Sequence, residues 1–171
     1  MKDKLKDTIM QILLHDINEI DLTEVEKTYI NELPRDEVFI ILKEIYLEQK
    51  DRFIQAKAYD AILSIEKLDK VQFLVDMFDN GPIEQKSTHC YELGYLDDQR
   101  AAEKLCAILL DDYNPNVRYI AATSLANFDD KTSVNTLEYA CKHDFEENFE
   151  GISVSQMAAV ALQRIQQRNR Q

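Results

Sequence analysis

Residues 114–130 read Asn-Pro-Asn-Val-Arg-Tyr-Ile-Ala-Ala-Thr-Ser-Leu-Ala-Asn-Phe-Asp-Asp, and this stretch decides the fold. Asn114 ahead of Pro115 marks a helix start: the Asn side chain can accept a free backbone N–H, and proline costs nothing in the first turn. Val117, Ala121, Leu125 and Phe128 then fall on one face of that helix, with a small residue at mid-face where a neighbouring helix can approach closely. The pattern recurs along the chain. A shift of 32 residues back lays Leu93, Gly94, Leu96, Asp97 and Asp98 on Leu125, Ala126, Phe128, Asp129 and Asp130. A shift of 63 back lays Ile54, Ala58 and Ile62 on Val117, Ala121 and Leu125, and one of 37 forward lays Val154, Ala158, Ala159, Leu162 and Ile165 on Val117, Ala121, Ala122, Leu125 and Phe128. A period of roughly 31 to 37 residues is the mark of stacked helix pairs, each of which needs its neighbours to bury its apolar face.

Between these second helices lie amphipathic first helices, predicted over Glu37–Glu48, Lys70–Phe78, Gln99–Leu110 and Thr132–His143. Capping-box spacing at Thr23/Glu26 and Ser153/Gln156, a related arrangement at Asp69/Gln72, Pro34 in a first turn and the Gly81-Pro82 break divide the chain into about ten short helices. With only three Gly and three Pro in 171 residues, many tight β-turns are excluded, and the class is all-α. The expected organisation is a single helical-repeat domain over 1–171, a short right-handed α-solenoid (an α-α superhelix). An N-terminal helical cap covers 4–32 and about four pairs cover 35–169.

The string Asp112-Tyr-Asn-Pro-Asn-Val-Arg118, followed by Ala121, Ala122, Leu125 and Asp129-Asp130, resembles the HEAT repeat signature, especially its bilin-lyase-like variety. The likeness is good over Gln99–Asn169, weaker over Phe53–Asp98 and absent before about residue 34. It departs from the pattern at Lys86 and His89, where Arg and Ala are usual, and at Ser155, which replaces Arg. The resemblance implies that Arg118 pairs with an acid in a neighbouring turn, with Asp129 or Asp98 as the expected partner.

Chemistry is sparse by comparison. His89 and Cys90 are adjacent, and neighbours on a helix point about 100° apart, away from any shared ion. His15, His143, Cys106 and Cys141 form neither a C-x-x-C nor an H-x-x-x-H pair, so no metal site is expected. The three cysteines read as reduced core thiols, Cys90 on the small position of Ala122. Acidic turns at Asp97-Asp98, Asp111-Asp112, Asp129-Asp130 and Glu146-Glu147 lack EF-hand spacing and read as helix caps. No phosphate loop, nucleophile elbow or Ser/His/Asp arrangement can be found, so neither catalysis nor a cofactor is expected.

The formal net charge of −12, spread along the whole chain, argues against nucleic acid, because phosphate binding needs a cationic face; the same field attracts a basic protein. Gln11, His15 and Asp16 interrupt the first apolar stretch, which removes a secretory h-region, and apolar runs such as Val38–Leu42 are too short for a bilayer. The expectation is a cytoplasmic protein without membrane contact, monomeric or weakly homo-oligomeric. With Val117, Ala121 and Leu125 turned inward, Tyr119 and Thr123 turn outward, and the equivalent positions one unit earlier hold Ser87, Tyr91 and Tyr95, with Tyr59 nearby in the unit before that. Tyrosine joins a large apolar ring to a polar tip and is enriched at binding hot spots. Tyr59, Asp60, Tyr91, Glu92, Tyr95, Tyr119 and Thr123 are therefore the candidate partner-binding residues, on the concave side that second helices form. The expected function is non-catalytic binding of a basic protein, as in a toxin-neutralising immunity protein. The alternative, implied by the resemblance, is a phycobilin lyase-like or chaperone-like HEAT-repeat protein.

Overall fold

A computed structural model describes residues 2–15 and 22–170. The chain divides into two compact units, Met1–Lys70 and Val71–Gln171. All the regular structure described is helical: ten α-helices and one 3-10 turn, with a single isolated β-bridge between Glu147 and Ser153.

In the first unit, α1 (Lys2–Leu14) and α2 (Glu24–Glu32) both pack on the pair formed by α3 (Arg35–Glu48) and α4 (Arg52–Ser64). Ile9, Leu13, Leu22 and Ile30 are buried there. The expected N-terminal segment 4–32 thus supplies two helices, although its residues 16–21 lie outside those described. Thr23 and Glu26 close the expected capping box at the start of α2. Pro34 stands one place before the expected first turn, as the residue preceding α3. Under these helices lies a buried lysine: Lys57 Nζ donates to the His15 carbonyl at 2.5 Å and stands 3.9 Å from the Glu26 carboxylate. Burial alone would raise the Glu26 pKa. Hydrogen bonds from the Thr23 hydroxyl and backbone, with the Lys57 charge, outweigh burial and hold it below the ordinary carboxylate value.

The second unit runs α5 (Lys70–Asn80, all but its first residue), a 3-10 turn (Ile83–Gln85), α6 (Lys86–Leu93), α7 (Gln99–Asp111), α8 (Pro115–Leu125), α9 (Lys131–His143) and α10 (Val154–Arg168). Local signals set these starts. Asp98, Asn114, Asp130 and Ser153 each accept backbone N–H groups at the first turn of α7, α8, α9 and α10. First helices α7 and α9 pack side by side, and second helices α6, α8 and α10 form the other layer. The helix pairs therefore stack in one direction, as the period requires, and the fold is an all-α solenoid of helix pairs.

Small residues set the spacing between layers. Ala101, Ala102, Ala121, Ala122, Ala158 and Ala161 are fully buried, as is Cys90 on the position of Ala122. A Cβ added to Gly94, just after α6, would stand 2.7 Å from the Ser124 Cβ of α8. The last helix departs from the aligned pattern. Ala158, Ala161 and Ile165 are buried, whereas Ala159 is exposed and Leu162 half-buried, although both were expected inside. Helix α8 has α6 on one side and α10 on the other, but among the described residues only α8 and α9 pack substantially on α10, so its Ala159 edge stays open.

Two outcomes follow from this packing. Gly94→Ala should overpack the contact between α6 and α8 and cost about 1–3 kcal/mol, read as a lower Tm. His89 sits fully buried where other units place alanine, and burial lowers its pKa from 6.5 to about 4. Below pH 6.5 the unfolded chain takes up a proton that the native state refuses until about 4. Its contribution is complete above 6.5 and drains as pH falls toward 4, at up to about 1.4 kcal/mol per pH unit. Urea midpoints between pH 6.5 and 4.5 should fall less steeply for His89→Gln than for the parent.

Candidate binding surface

Helix α6 turns His89, Cys90 and Leu93 inward, which leaves Tyr91 on its outer face, 46% exposed. At its C-terminus the chain keeps winding in i to i+3 steps: Gly94, Tyr95 and Leu96 donate to Tyr91, Glu92 and Leu93. That extra turn returns Tyr95, 63% exposed, to the side of Tyr91. The rings meet edge to face with centroids 4.9 Å apart, and their hydroxyls share a hydrogen bond. This bond, first among several causes, raises the Tyr95 pKa above the ordinary phenol value. The two aromatic rings are thus held against each other.

Beside them, a cleft of about 340 Å³ opens between the turn after α6 and the turn after α8, lined by Gly94, Tyr95, Leu96, Asp97, Asn127 and Phe128. Asn127 Nδ2 donates to the Gly94 carbonyl at 2.8 Å and ties the two turns together. On α8, Tyr119 and Thr123 are half-buried, and the Thr123 hydroxyl donates to the Tyr119 carbonyl at 2.9 Å. Glu92 is half-buried on α6.

The structure thus brings Tyr91 and Tyr95 into contact and places Tyr119 and Thr123 on the adjoining second helix. Tyr59 and Asp60 belong to the first unit. Tyr59 is half-buried with its ring 5.3 Å from that of Tyr46. Asp60 accepts from the Leu22 N–H at 2.9 Å and lies 3.6 Å from Lys27, so its charge holds the start of α2.

At the other end of the second helices, Arg118 finds partners different from those expected. Its Nε and Nη2 donate to the two Asp144 oxygens at 2.7 and 3.0 Å, Nη2 also reaches Glu146 at 3.0 Å, and Nη1 donates to the Asp112 carbonyl at 2.7 Å. Neither Asp129 nor Asp98 is its partner. Arg118 lies in the first turn of α8, whereas those acids follow the C-terminal ends of α8 and α6. The seven residue steps from 118 to 125 already span about 10 Å of helix. Asp98 instead caps α7 and pairs with Arg100 at 2.8 Å. The Asp144 hydrogen bonds, ahead of the opposing effect of burial, raise the Arg118 pKa further above its usual value. One unit earlier Lys86 reaches Asp112 at 3.1 Å, and both pairings span 26 residues. Of the expected acidic caps, Glu146 is therefore a partner of this guanidinium.

The reactive side chains are scattered. Cys90 and Cys106 are buried and Cys141 is half-buried, all as free thiols, and burial raises the pKa values of the first two. His15 lies 3.3 Å from Glu26, and His143 rests 4.5 Å from the Tyr139 ring. Among the described residues no group of three or more His, Cys, Asp or Glu could hold a metal ion, and no helix is long and apolar enough to cross a membrane.

The family model for HEAT repeats matches the chain over residues 83–156 and again over 102–170. Together these matches cover more than half of the sequence. No curated protein and no solved structure matches the chain.

Arg118→Ala should cost about 2–4 kcal/mol, because it leaves a partly buried carboxylate and a carbonyl without their donor. Arg118→Lys should recover only part of that loss, since one ammonium cannot reproduce the fork on Asp144. Denaturant midpoints for the two variants give the comparison.

Proposed function

The chain belongs to the HEAT repeat family, and from that premise we propose that it acts without catalysis, binding a basic protein through the outer face of its second helices around Tyr91 and Tyr95. Proteins built from HEAT repeats generally mediate protein–protein interaction. The observation that carries the finer reading is the preformed tyrosine pair beside an open cleft. Rings already held in position lose little conformational freedom on binding, so more of their burial counts toward affinity. Asp97 lines the same cleft, and a cationic side chain entering it would meet a carboxylate and an aromatic ring together. The net charge of −12 supports a basic partner, and neutralisation of a basic toxin is one role that fits it. Tyr119 and Thr123 extend this face onto α8. Tyr59 and Asp60 belong to the first unit and stand outside this face; Asp60 is engaged there with the Leu22 N–H.

Binding kinetics with a purified partner, at two salt concentrations, test this reading. Tyr91→Ala or Tyr119→Ala should speed dissociation and cost about 2 kcal/mol or more. Higher salt should mainly slow association by screening long-range attraction. Unaltered affinity for every tyrosine variant, with melting curves intact, would move the interface off this face.

A further inference from the structure

Three large aromatic residues stand outside every helix of the second unit and point to a separate surface. Tyr113, in the loop from α7 to α8, is 69% exposed; Phe145 and Phe149, in the loop from α9 to α10, are 68% and 84% exposed. A bonded frame holds both loops. Arg118 binds the Asp112 carbonyl next to Tyr113, and also Asp144 and Glu146, which flank Phe145. Asn116 Oδ1 accepts the backbone N–H of Phe149 at 2.8 Å, across the gap between the loops. The bridge from Glu147 to Ser153 and the left-handed Gly151, at φ +76°, shape the rest of the longer loop. These rings are therefore kept at one edge of the unit by an ordered network while most of their area faces solvent. Asp111, Glu147 and Glu150 are exposed in the same two segments.

We propose that this loop edge is a second docking surface, built to take an arginine-rich segment of a partner protein. Charge selects the occupant. A second copy of the chain would bring its own acidic loops and a net charge of −12 against this one. A guanidinium can lie flat on an aromatic face while donating to a neighbouring carboxylate, and it gives up its water more readily than an ammonium does. The surface lies at the opposite ends of the second helices from the Tyr95 cleft, so it stands independently of the α6 tyrosine face.

The test is a 15N NMR titration of the whole chain with an acetylated nona-arginine peptide, and in parallel with nona-lysine. Saturable shifts should centre on residues 111–116 and 144–151, with tighter binding to arginine than to lysine. The double variant Phe145→Ala/Phe149→Ala keeps the net charge and should weaken the arginine peptide about tenfold or more, with its Tm unchanged. Tyr91→Ala/Tyr95→Ala should leave the shifts at residues 111–116 and 144–151, and the affinity read from them, as in the parent. Shifts spread without saturation over all acidic segments, or full affinity in the phenylalanine variant, would reduce the effect to long-range attraction and overturn the proposal. A loss seen only in the tyrosine variant would assign arginine recognition to α6 instead. A concentration-dependent dimer that Phe149→Ala dissolves would show that the rings belong to contact between copies, and would overturn it as well.

Discussion

The guanidinium of Arg118 ties together the two loops that flank α8 and α9 in the second unit. A helix pair in a stacked array has two problems at the loop between its helices. The carbonyls ending the first helix have no helical partner, and nothing local fixes the loop against the next pair. Arg118 addresses both with one planar fork: Nη1 closes on the Asp112 carbonyl at the end of its own α7, while Nε and Nη2 reach into the next loop, at Asp144 and Glu146. Lys86 makes the forward reach alone, to Asp112, so an ammonium performs half of the task. At the aligned positions 55 and 155 neutral side chains keep only the backward one. Gln55 donates to the Tyr46 carbonyl and Ser155 to that of Cys141. Ser155 lies on α10, the last helix described.

The small-residue seam is the second constraint, and it is coupled to the first. Second helices approach closely only because alanine or cysteine stands at their crossing, and that approach brings the loops within reach of one side chain. Ser124 shows how tight this becomes. It is buried against Gly94, and its hydroxyl has no hydrogen-bond partner among the described residues. His89 is the exception in the seam, an imidazole in the place of alanine, and its lowered pKa is the electrostatic consequence of that burial.

Much of this was legible in the sequence, because helix starts are local events. The capping boxes at Thr23 and Ser153, the Asn114-Pro115 start and the first-helix boundaries all follow from residues within one turn of each other. The partner of Arg118 was not legible. Asp98 and Asp129 follow the C-terminal ends of α6 and α8, and the end of α8 at which Arg118 lies is what puts Asp144 within its reach instead. The candidate surface divides in the same way. Tyr91 and Tyr119 follow from helical facing, whereas the contact between Tyr91 and Tyr95 depends on an extra turn after α6 that no single residue announces. Asp60 was singled out for its charge, and its engagement with the Leu22 N–H required knowing where α2 begins. Tyr113, Phe145 and Phe149 escaped because a facing argument applies only inside helices. The available signal was an aromatic residue among acids in a non-helical stretch, where no apolar face exists to bury it.

The two ends of the second helices thus solve different problems. At the C-terminal ends of α6 and α8 the turns are short, wound by backbone donors and tied to each other by Asn127 Nδ2, leaving a cleft walled by Tyr95, Leu96, Asp97 and Phe128. At the N-terminal ends the loops are held by charged side chains, and a loop fixed in that way can present large apolar groups without collapsing onto them. Buried charge at Arg118 and exposed aromatics beside it are then two results of one arrangement. The desolvation cost of the guanidinium is offset by fixed acceptors on both loops, and the rigidity so obtained lets rings of this size stay in water instead of folding inward.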